Sequence, residues 1–158
     1  MKALETNPKI SDSINVYLIG NNPVELGAVY DKLKAIKSRT FNAEIDFDLK
    51  NIFSKIARYN PACILIDDNL EKLKLKKLIK RLSRHNSTKN IPITILKNSN
   101  YKEASIEEAQ EYILKESITS DRLSITILNS IKLKRMQTYL YKTYRKRKSQ
   151  FLGFLNQD

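Results

Sequence analysis

A chain of 158 residues, 41% of them hydrophobic and with only three glycines and four prolines, is large enough for one domain with a buried core and is unlike a disordered or fibrous protein. Its formal net charge of +12 favours a polyanionic partner such as nucleic acid, an acidic protein or anionic lipid. No apolar run approaches the roughly 20 residues that span a bilayer, and residues 1–13 carry acids and lack the apolar core of a signal peptide, so a cytoplasmic location is expected. The single cysteine, Cys63, excludes a disulfide within the chain.

The first part of the chain predicts a strand and a helix. After a loose lead-in over residues 1–13, Ile14–Ile19 is a predicted strand that ends at a loop signal over Gly20–Pro23. Apolar residues at helical spacing then predict a helix over residues 24–36.

The next two predicted elements are again a strand and a helix. The strand covers residues 41–47, and its partial alternation of apolar and polar residues indicates the edge of a sheet. Asp48 is the predicted N-cap of a helix over residues 49–59.

The third predicted strand, Ala62–Ile66, is the segment on which the functional argument depends. It is apolar without alternation, which is typical of a strand buried on both faces of a parallel sheet. Asp67 and Asp68 follow it directly. Ligands of open parallel sheets bind just beyond the carboxyl ends of the strands, so this pair lies where function is expected.

Two further strands end in lysines. Ile93–Leu96 is closed by Lys97, and Tyr112–Leu114 is closed by Lys115. Because these residues follow parallel strands, both ammonium groups are expected near the Asp67 edge of the sheet.

The remaining predicted elements are helices. Residues 73–82 have apolar residues at helical spacing with lysines on the other side, and residues 105–110 form a short helix at best. Ser120 or Asp121 is predicted to cap the last helix.

The regular alternation of strands and helices predicts an α/β fold. We expect a flavodoxin-like, doubly wound, five-stranded parallel sheet of order 2-1-3-4-5, with an extended C-terminal helix. In that order the first and third strands are adjacent, so the loop over Gly20–Pro23 meets the loop that begins at Asp67.

Three segments in this order resemble the receiver domain of bacterial two-component response regulators. Leu65–Leu70 is similar to the phosphoacceptor strand of that family, Pro92–Leu96 to its fourth strand, and Glu111–Lys115 to its fifth. The resemblance covers residues 14–133, and residues 134–158 form a basic helical extension and tail. The resemblance implies that Asp67 is equivalent to the phosphoacceptor aspartate of that family.

The resemblance also implies roles for the fifth strand, with Tyr112 as the switch aromatic and Lys115 as the invariant lysine. Several positions depart from the family pattern. Its acidic, magnesium-binding pair after the first strand is replaced by Gly20 and Asn21, with Asn22 following.

Two more departures concern the fourth and fifth strands. The family ends its fourth strand in Thr or Ser, where this chain has Lys97. The lysine after the fifth strand normally precedes a proline in a cis peptide, but Glu116 follows here. A cis bond before a non-proline residue costs about 2.5–4 kcal/mol, so a trans peptide is expected.

Counting charges gives a prediction about the metal. Asp67, with Asp68, faces Lys97 and Lys115, so the pocket is near neutral without a divalent cation. Magnesium binding is therefore expected to be weak or absent, and no cofactor is predicted. Our hypothesis is that Lys97 or Lys115 pairs with Asp67, which makes the domain a pseudo-receiver that is not phosphorylated by the usual magnesium-dependent route. The alternative is a receiver that can still be phosphorylated at Asp67.

The basic extension has more than one interpretation. Its cations culminate in a patch formed by Arg145, Lys146, Arg147 and Lys148. A weak heptad-like recurrence of Leu133, Met136, Leu140, Thr143 and Arg147 favours a solvated or dimerising helix. Tyrosines among the cations also allow a nucleic-acid interface.

The sequence contains no arrangement typical of an enzyme. We therefore predict a signalling module that acts by protein–protein contact. The expected partner surface is the face of the fourth helix, fifth strand and fifth helix, with the extended last helix favouring a homodimer. The alternative is a DNA- or RNA-binding transcriptional regulator that uses the basic helices, and salt dependence would separate the two.

Overall fold

A computed structural model describes residues 13–98 and 111–156. The predicted short helix over 105–110 lies outside these residues. The described elements are, in chain order, β1 (Ser13–Ile19), α1 (Pro23–Lys34), β2 (Thr40–Asp46), α2 (Ile52–Tyr59), β3 (Cys63–Asp67), α3 (Lys72–Arg84), β4 (Ile93–Lys97), β5 (Glu111–Leu114), a 3-10 turn (Lys115–Ser117) and α4 (Ser120–Leu155).

The five strands form one parallel sheet of order β2-β1-β3-β4-β5. This confirms the predicted flavodoxin-like topology and the long C-terminal helix. All five residues of β3 are buried, as expected for a central strand covered by helices on both faces. Burial raises the pKa of the Cys63 thiol to about 12, so this cysteine is an inert core residue.

Strand alternation divides the core into two layers. Cys63 and Leu65 of β3 pack with the apolar sides of α1 and α4, whereas Ile64 and Ile66 pack with α2 and α3. Asp67 has the same parity as Cys63 and Leu65. It therefore lies on the α1 side of the sheet, which determines its neighbours.

Two helix starts differ from the sequence prediction. Asp48 was expected to cap a helix beginning at residue 49, but its carboxylate accepts a bond of 2.9 Å from the amide of Lys50 in a local turn. Asn51 then adopts φ 57°, a left-handed conformation, and α2 begins only at Ile52. The last helix is capped by Thr119, whose hydroxyl accepts a bond from a first-turn amide, and not by Ser120 or Asp121.

Helix α4 is 36 residues long and only its first half packs on the sheet. Leu123 and Ile127 are fully buried, and the hydroxyl groups of Thr94 and Ser130, also buried, lie 2.7 Å apart between β4 and α4. Beyond Ile131 the helix passes residues that precede β3 and β4, namely Pro61, Ala62, Ile91 and Pro92. Its second half therefore extends past the amino-terminal edge of the sheet, at the opposite end from Asp67.

Candidate functional site

The carboxyl ends of four strands bring their side chains to one face of the sheet. Asp67, Gly20, Asn98 and Lys115 each stand two positions after a residue of the α1-side core. The pleat therefore directs all four positions toward the start of α1.

Lys115 is the centre of the site. Its Nζ lies 2.6 Å from Oδ1 of Asp67, 2.7 Å from Oε2 of Glu25 and 2.7 Å from Oδ1 of Asn98. An ammonium group has three N–H donors, and here each one has an acceptor. The Lys115 side chain is 12% exposed and that of Asp67 is 0% exposed, so the pair is shielded from solvent.

Four side chains close a polar ring over Asp67. The Asn69 amide donates to Glu25 Oε2 at 2.8 Å, and the Asn98 amide donates to the side-chain oxygen of Asn69. Lys115 completes the ring by donating hydrogen bonds to Glu25 and Asn98. We call Glu25, Asn69, Asn98 and Lys115 the polar ring.

Asp67 is held beneath the polar ring. Its Oδ1 accepts a second bond of 2.8 Å from the backbone amide of Asn69. Its Oδ2 is buried and has no hydrogen-bond partner within the described residues. In this arrangement neither oxygen of the predicted phosphoacceptor is open to solvent.

The other carboxylates of the site differ from one another in environment. The hydrogen bond from Lys115 lowers the pKa of Glu25, whereas burial raises the pKa of Asp68. Asp68 accepts bonds of 3.2 and 3.3 Å from the backbone amide of Asn98, so it orders the turn after β4.

Lys97 points away from Asp67. It has the parity of Ile95, which pairs with Tyr112 on the α2–α3 side of the sheet. Its Nζ lies 4.7 Å from the centre of the Tyr112 ring, in a cation–π contact. Of the two lysines offered by the sequence, Lys115 makes the pair.

The expected charge count is corrected accordingly. Lys97 leaves the site, and Glu25, which sequence reasoning missed, enters it. Asp67 and Glu25 share the ammonium group of Lys115, whereas Asp68 accepts from the backbone amide of Asn98. Asn98 was also missed. Its place could be found from strand alternation after β4, but the reach of Glu25 from α1 depends on tertiary packing.

The three residues after β1 have other roles than metal ligation. Gly20 lies beside Asp67 so closely that a Cβ on it would be 2.9 Å from the Cβ of Asp67. The Asn21 amide donates to the backbone carbonyl of Asn69 at 3.2 Å. The Asn22 side chain accepts from two amides of the first turn of α1, at 3.1 and 3.3 Å, and caps that helix.

These residues do not fit the magnesium site that the resemblance implies. Magnesium needs near-octahedral oxygen ligands. Here Oδ1 of Asp67 is paired with Lys115, and Oδ2 of Asp67 is buried. The backbone carbonyl of Asn69 accepts a hydrogen bond from Asn21. Within residues 13–98 and 111–156, no group of three or more His, Cys, Asp or Glu side chains is placed to hold a metal. Weak magnesium binding stays a prediction.

Two other sequence predictions concern the periphery. The described residues contain no cis peptide, so the bond between Lys115 and Glu116 is trans as expected. The basic patch over 145–148 is exposed on the second half of α4, beyond the opposite edge of the sheet from Asp67.

Similarity to known proteins is found at the level of three-dimensional structure. No family model matches the sequence, and no curated protein matches it. The receiver domain of a sensor histidine kinase from Pseudomonas aeruginosa, solved with magnesium in its active-site cleft, is 14% identical with a TM-score of 0.64 over 76% of this chain and 98% of its own.

Two further structures show the same likeness. A response regulator from Desulfuromonas acetoxidans is 19% identical with a TM-score of 0.62, and a candidate response regulator from Chloroflexus aurantiacus is 18% identical with a TM-score of 0.66. Each match covers 76% of this chain and 98% of the other. The chain therefore has the fold of response-regulator receiver domains.

Proposed function

We propose that this chain is a signalling module of receiver fold that acts through protein–protein contact, is not an enzyme, and is not phosphorylated by the magnesium-dependent route. The contact of 2.6 Å between Lys115 and Asp67 is the observation that carries the proposal. It supports a pseudo-receiver because Gly20 and Asn21 replace the acidic pair that would hold a divalent cation, so that among the described residues Lys115 is the counter-charge of the phosphoacceptor equivalent.

Two physical requirements of phosphoryl transfer are unfavourable here. The attacking oxygen must lie in line with the phosphorus, and the developing charge must be neutralised, which a metal ion normally does. Asp67 is fully buried beneath the polar ring, and acids are missing at Gly20 and Asn21. A phosphodonor would have to break the contacts of Lys115 before it reached the carboxylate.

The experiment is phosphorylation with acetyl phosphate and Mg²⁺, read by intact mass. We expect no phosphoryl adduct, while a receiver domain with the acidic pair is labelled under the same conditions. The Asp67→Asn variant measures background labelling. Stoichiometric labelling that disappears in Asp67→Asn would contradict the proposal and establish the alternative of a receiver still phosphorylated at Asp67.

The proposed partner surface is formed by β5 and the first half of α4. β5 is a four-residue strand at the edge of the described sheet. Ile125 of α4 is 59% exposed. The helix that was expected to complete this face, between β4 and β5, lies outside the described residues.

A homodimer and a nucleic-acid complex stay predictions. Light scattering at low and moderate salt, with and without duplex DNA, separates them, because phosphate binding falls steeply with salt and an apolar interface does not. If the β5–α4 face makes a homodimer, Ile125→Asp is expected to convert it to a monomer.

A further inference from the structure

The last two thirds of α4 are exposed over most of their surface, although residues 134–145 pass beside the residues that precede β3 and β4. We call residues 132–155 the projecting helix. At 1.5 Å per residue it is about 36 Å long. From Tyr139 onward every residue except Thr143 is exposed up to Asn156.

One side of the projecting helix is an apolar stripe. Seven large side chains recur at spacings of one, three, four or seven residues and are between 39% and 73% exposed: Leu133, Met136, Leu140, Tyr144, Phe151, Phe154 and Leu155. At 100° per residue they fall within a sector of about 100°, the width of the buried face of an ordinary amphipathic helix. Arg147 is the one cation within that sector.

The rest of the circumference carries most of the cations, together with the exposed Tyr139, Tyr141 and Leu152. The projecting helix carries eight cations: Lys132, Lys134, Arg135, Lys142, Arg145, Lys146, Arg147 and Lys148. No acidic residue occurs between Asp121 and Asp158, so no ion pair along the helix offsets them. Like charges three or four residues apart, as in Lys142 and Lys146, destabilise an isolated helix, and an occupant with negative charge would relieve this.

Three occupants can be compared by whether they satisfy both sides of the helix. A second copy would cover the apolar stripe, but it would bring eight more cations close and place Arg147 in the seam. A nucleic acid would neutralise the cations, but it would leave the apolar stripe in water. An anionic lipid surface receives the stripe at the acyl boundary and binds the cations at the headgroups. Arg147 can extend its charge to the headgroups from within the stripe.

We infer that the projecting helix binds the surface of an anionic membrane and lies in the plane of the interface. No helix of the described residues is long and apolar enough to cross a bilayer, so the binding is peripheral. Tyr139 and Tyr141, exposed beside the stripe, are of the residue type that favours this interface. The inference is independent of the state of Asp67.

The test is sedimentation of the full chain with vesicles of phosphatidylcholine, with and without phosphatidylglycerol. We expect binding to the anionic vesicles only, weakened by added salt. Each basic residue near the surface contributes about fivefold to affinity. Arg145→Glu/Lys146→Glu should therefore weaken binding by more than about 25-fold.

Matched variants distinguish the projecting helix from general charge and hydrophobicity. Lys76→Glu/Lys77→Glu changes the net charge equally on the exposed side of α3 and should lose much less affinity. Leu140→Glu, within the stripe, should weaken binding more than about tenfold. Leu73→Glu replaces a leucine that is 66% exposed on α3 and should leave binding unchanged. Circular dichroism checks that each variant is folded.

Equal binding to neutral vesicles, no binding to either vesicle, or equal losses in the matched pairs would overturn the inference. A dimer that Leu140→Glu disrupts, without vesicle binding, would overturn it as well. The last result would assign the stripe to a second copy. Binding to duplex DNA that survives Leu140→Glu, in the absence of vesicle binding, would assign the cations to nucleic acid and also overturn it.

Discussion

The Nζ of Lys115 and Oδ1 of Asp67 are 2.6 Å apart. Lys115 directly follows β5 and Asp67 ends β3, and β4 lies between these two strands in the sheet. The lysine reaches across β4 because both residues are directed to the α1 side. Asn98, which directly follows β4, lies on the same side and accepts a hydrogen bond of 2.7 Å from the lysine. The charge pair thus connects the central strand to the edge strand.

Removal of the ammonium should destabilise the fold strongly. Lys115→Met leaves the Asp67 carboxylate buried without its counter-charge, which costs about 3–5 kcal/mol of unfolding free energy. Lys97→Met loses only a cation–π contact of about 0.5–1 kcal/mol. Urea unfolding measures both. Lys115→Met/Asp67→Asn should regain part of the loss, and equal losses for the two lysines would contradict a central role for Lys115.

The close approach of β1 to β3 predicts that Gly20 cannot carry a side chain without rearrangement. A Cβ would lie 2.9 Å from both the Asp67 Cβ and a methyl group of Leu26. Gly20→Ala should therefore cost about 1–3 kcal/mol of unfolding free energy. Gly27→Ala is the control, because nothing lies within 4 Å of its added Cβ and the residue is inside α1. That variant should gain about 0.5–1 kcal/mol. A Gly20→Ala variant with the same unfolding free energy as the parent would refute this prediction.

Glu25 should make the stability depend on acid pH. The hydrogen bond from Lys115 lowers its pKa in the folded state from the ordinary 4.5, so its contribution is present above that value and is lost as the pH falls through the lowered pKa. Glu25→Gln should be less stable than the parent at neutral pH, and the difference should shrink in acid. Unfolding free energies from about pH 3 to pH 7 measure this.

Asp68 provides a control of opposite sign for the same titration. Burial raises its pKa, so its contribution is present in acid and is lost as the pH rises through the raised value. The free energy of unfolding of Asp68→Asn should therefore increase relative to that of the parent as the pH rises. If Glu25→Gln and the parent keep a constant difference across this range, the assigned role of Glu25 is incorrect.

One substitution should create magnesium affinity. Asn21→Asp adds a carboxylate and removes the amide that binds the Asn69 carbonyl, so two oxygen ligands become available near Asp67. Titration calorimetry should detect Mg²⁺ binding to this variant and little to the parent. Asn22→Asp is the matched control, because an aspartate caps α1 equally well and its side chain is engaged there. Equal behaviour of the two variants would count against the metal-site argument.

The strands and their order could be predicted from the sequence, because buried strands must pair with one another and be covered by helices, and few strand orders satisfy both requirements. The unbroken apolar run before Asp67 requires helices on both sides, and strict alternation of elements requires right-handed crossovers in a parallel sheet. The predicted equivalence of Asp67 and Lys115 to receiver positions rests on the resemblance of short segments to that family. These are properties of short segments, which a sequence displays directly.

Tertiary structure decided which groups meet. Lys97 and Lys115 both follow strands, but the pleat sends Lys97 to Tyr112 and Lys115 to Asp67. Glu25 enters the site because α1 packs with its first turn over β3, a contact between residues far apart in the sequence. Local composition determines the elements, whereas side-chain partners depend on strand parity and helix placement, which exist only once the sheet is assembled.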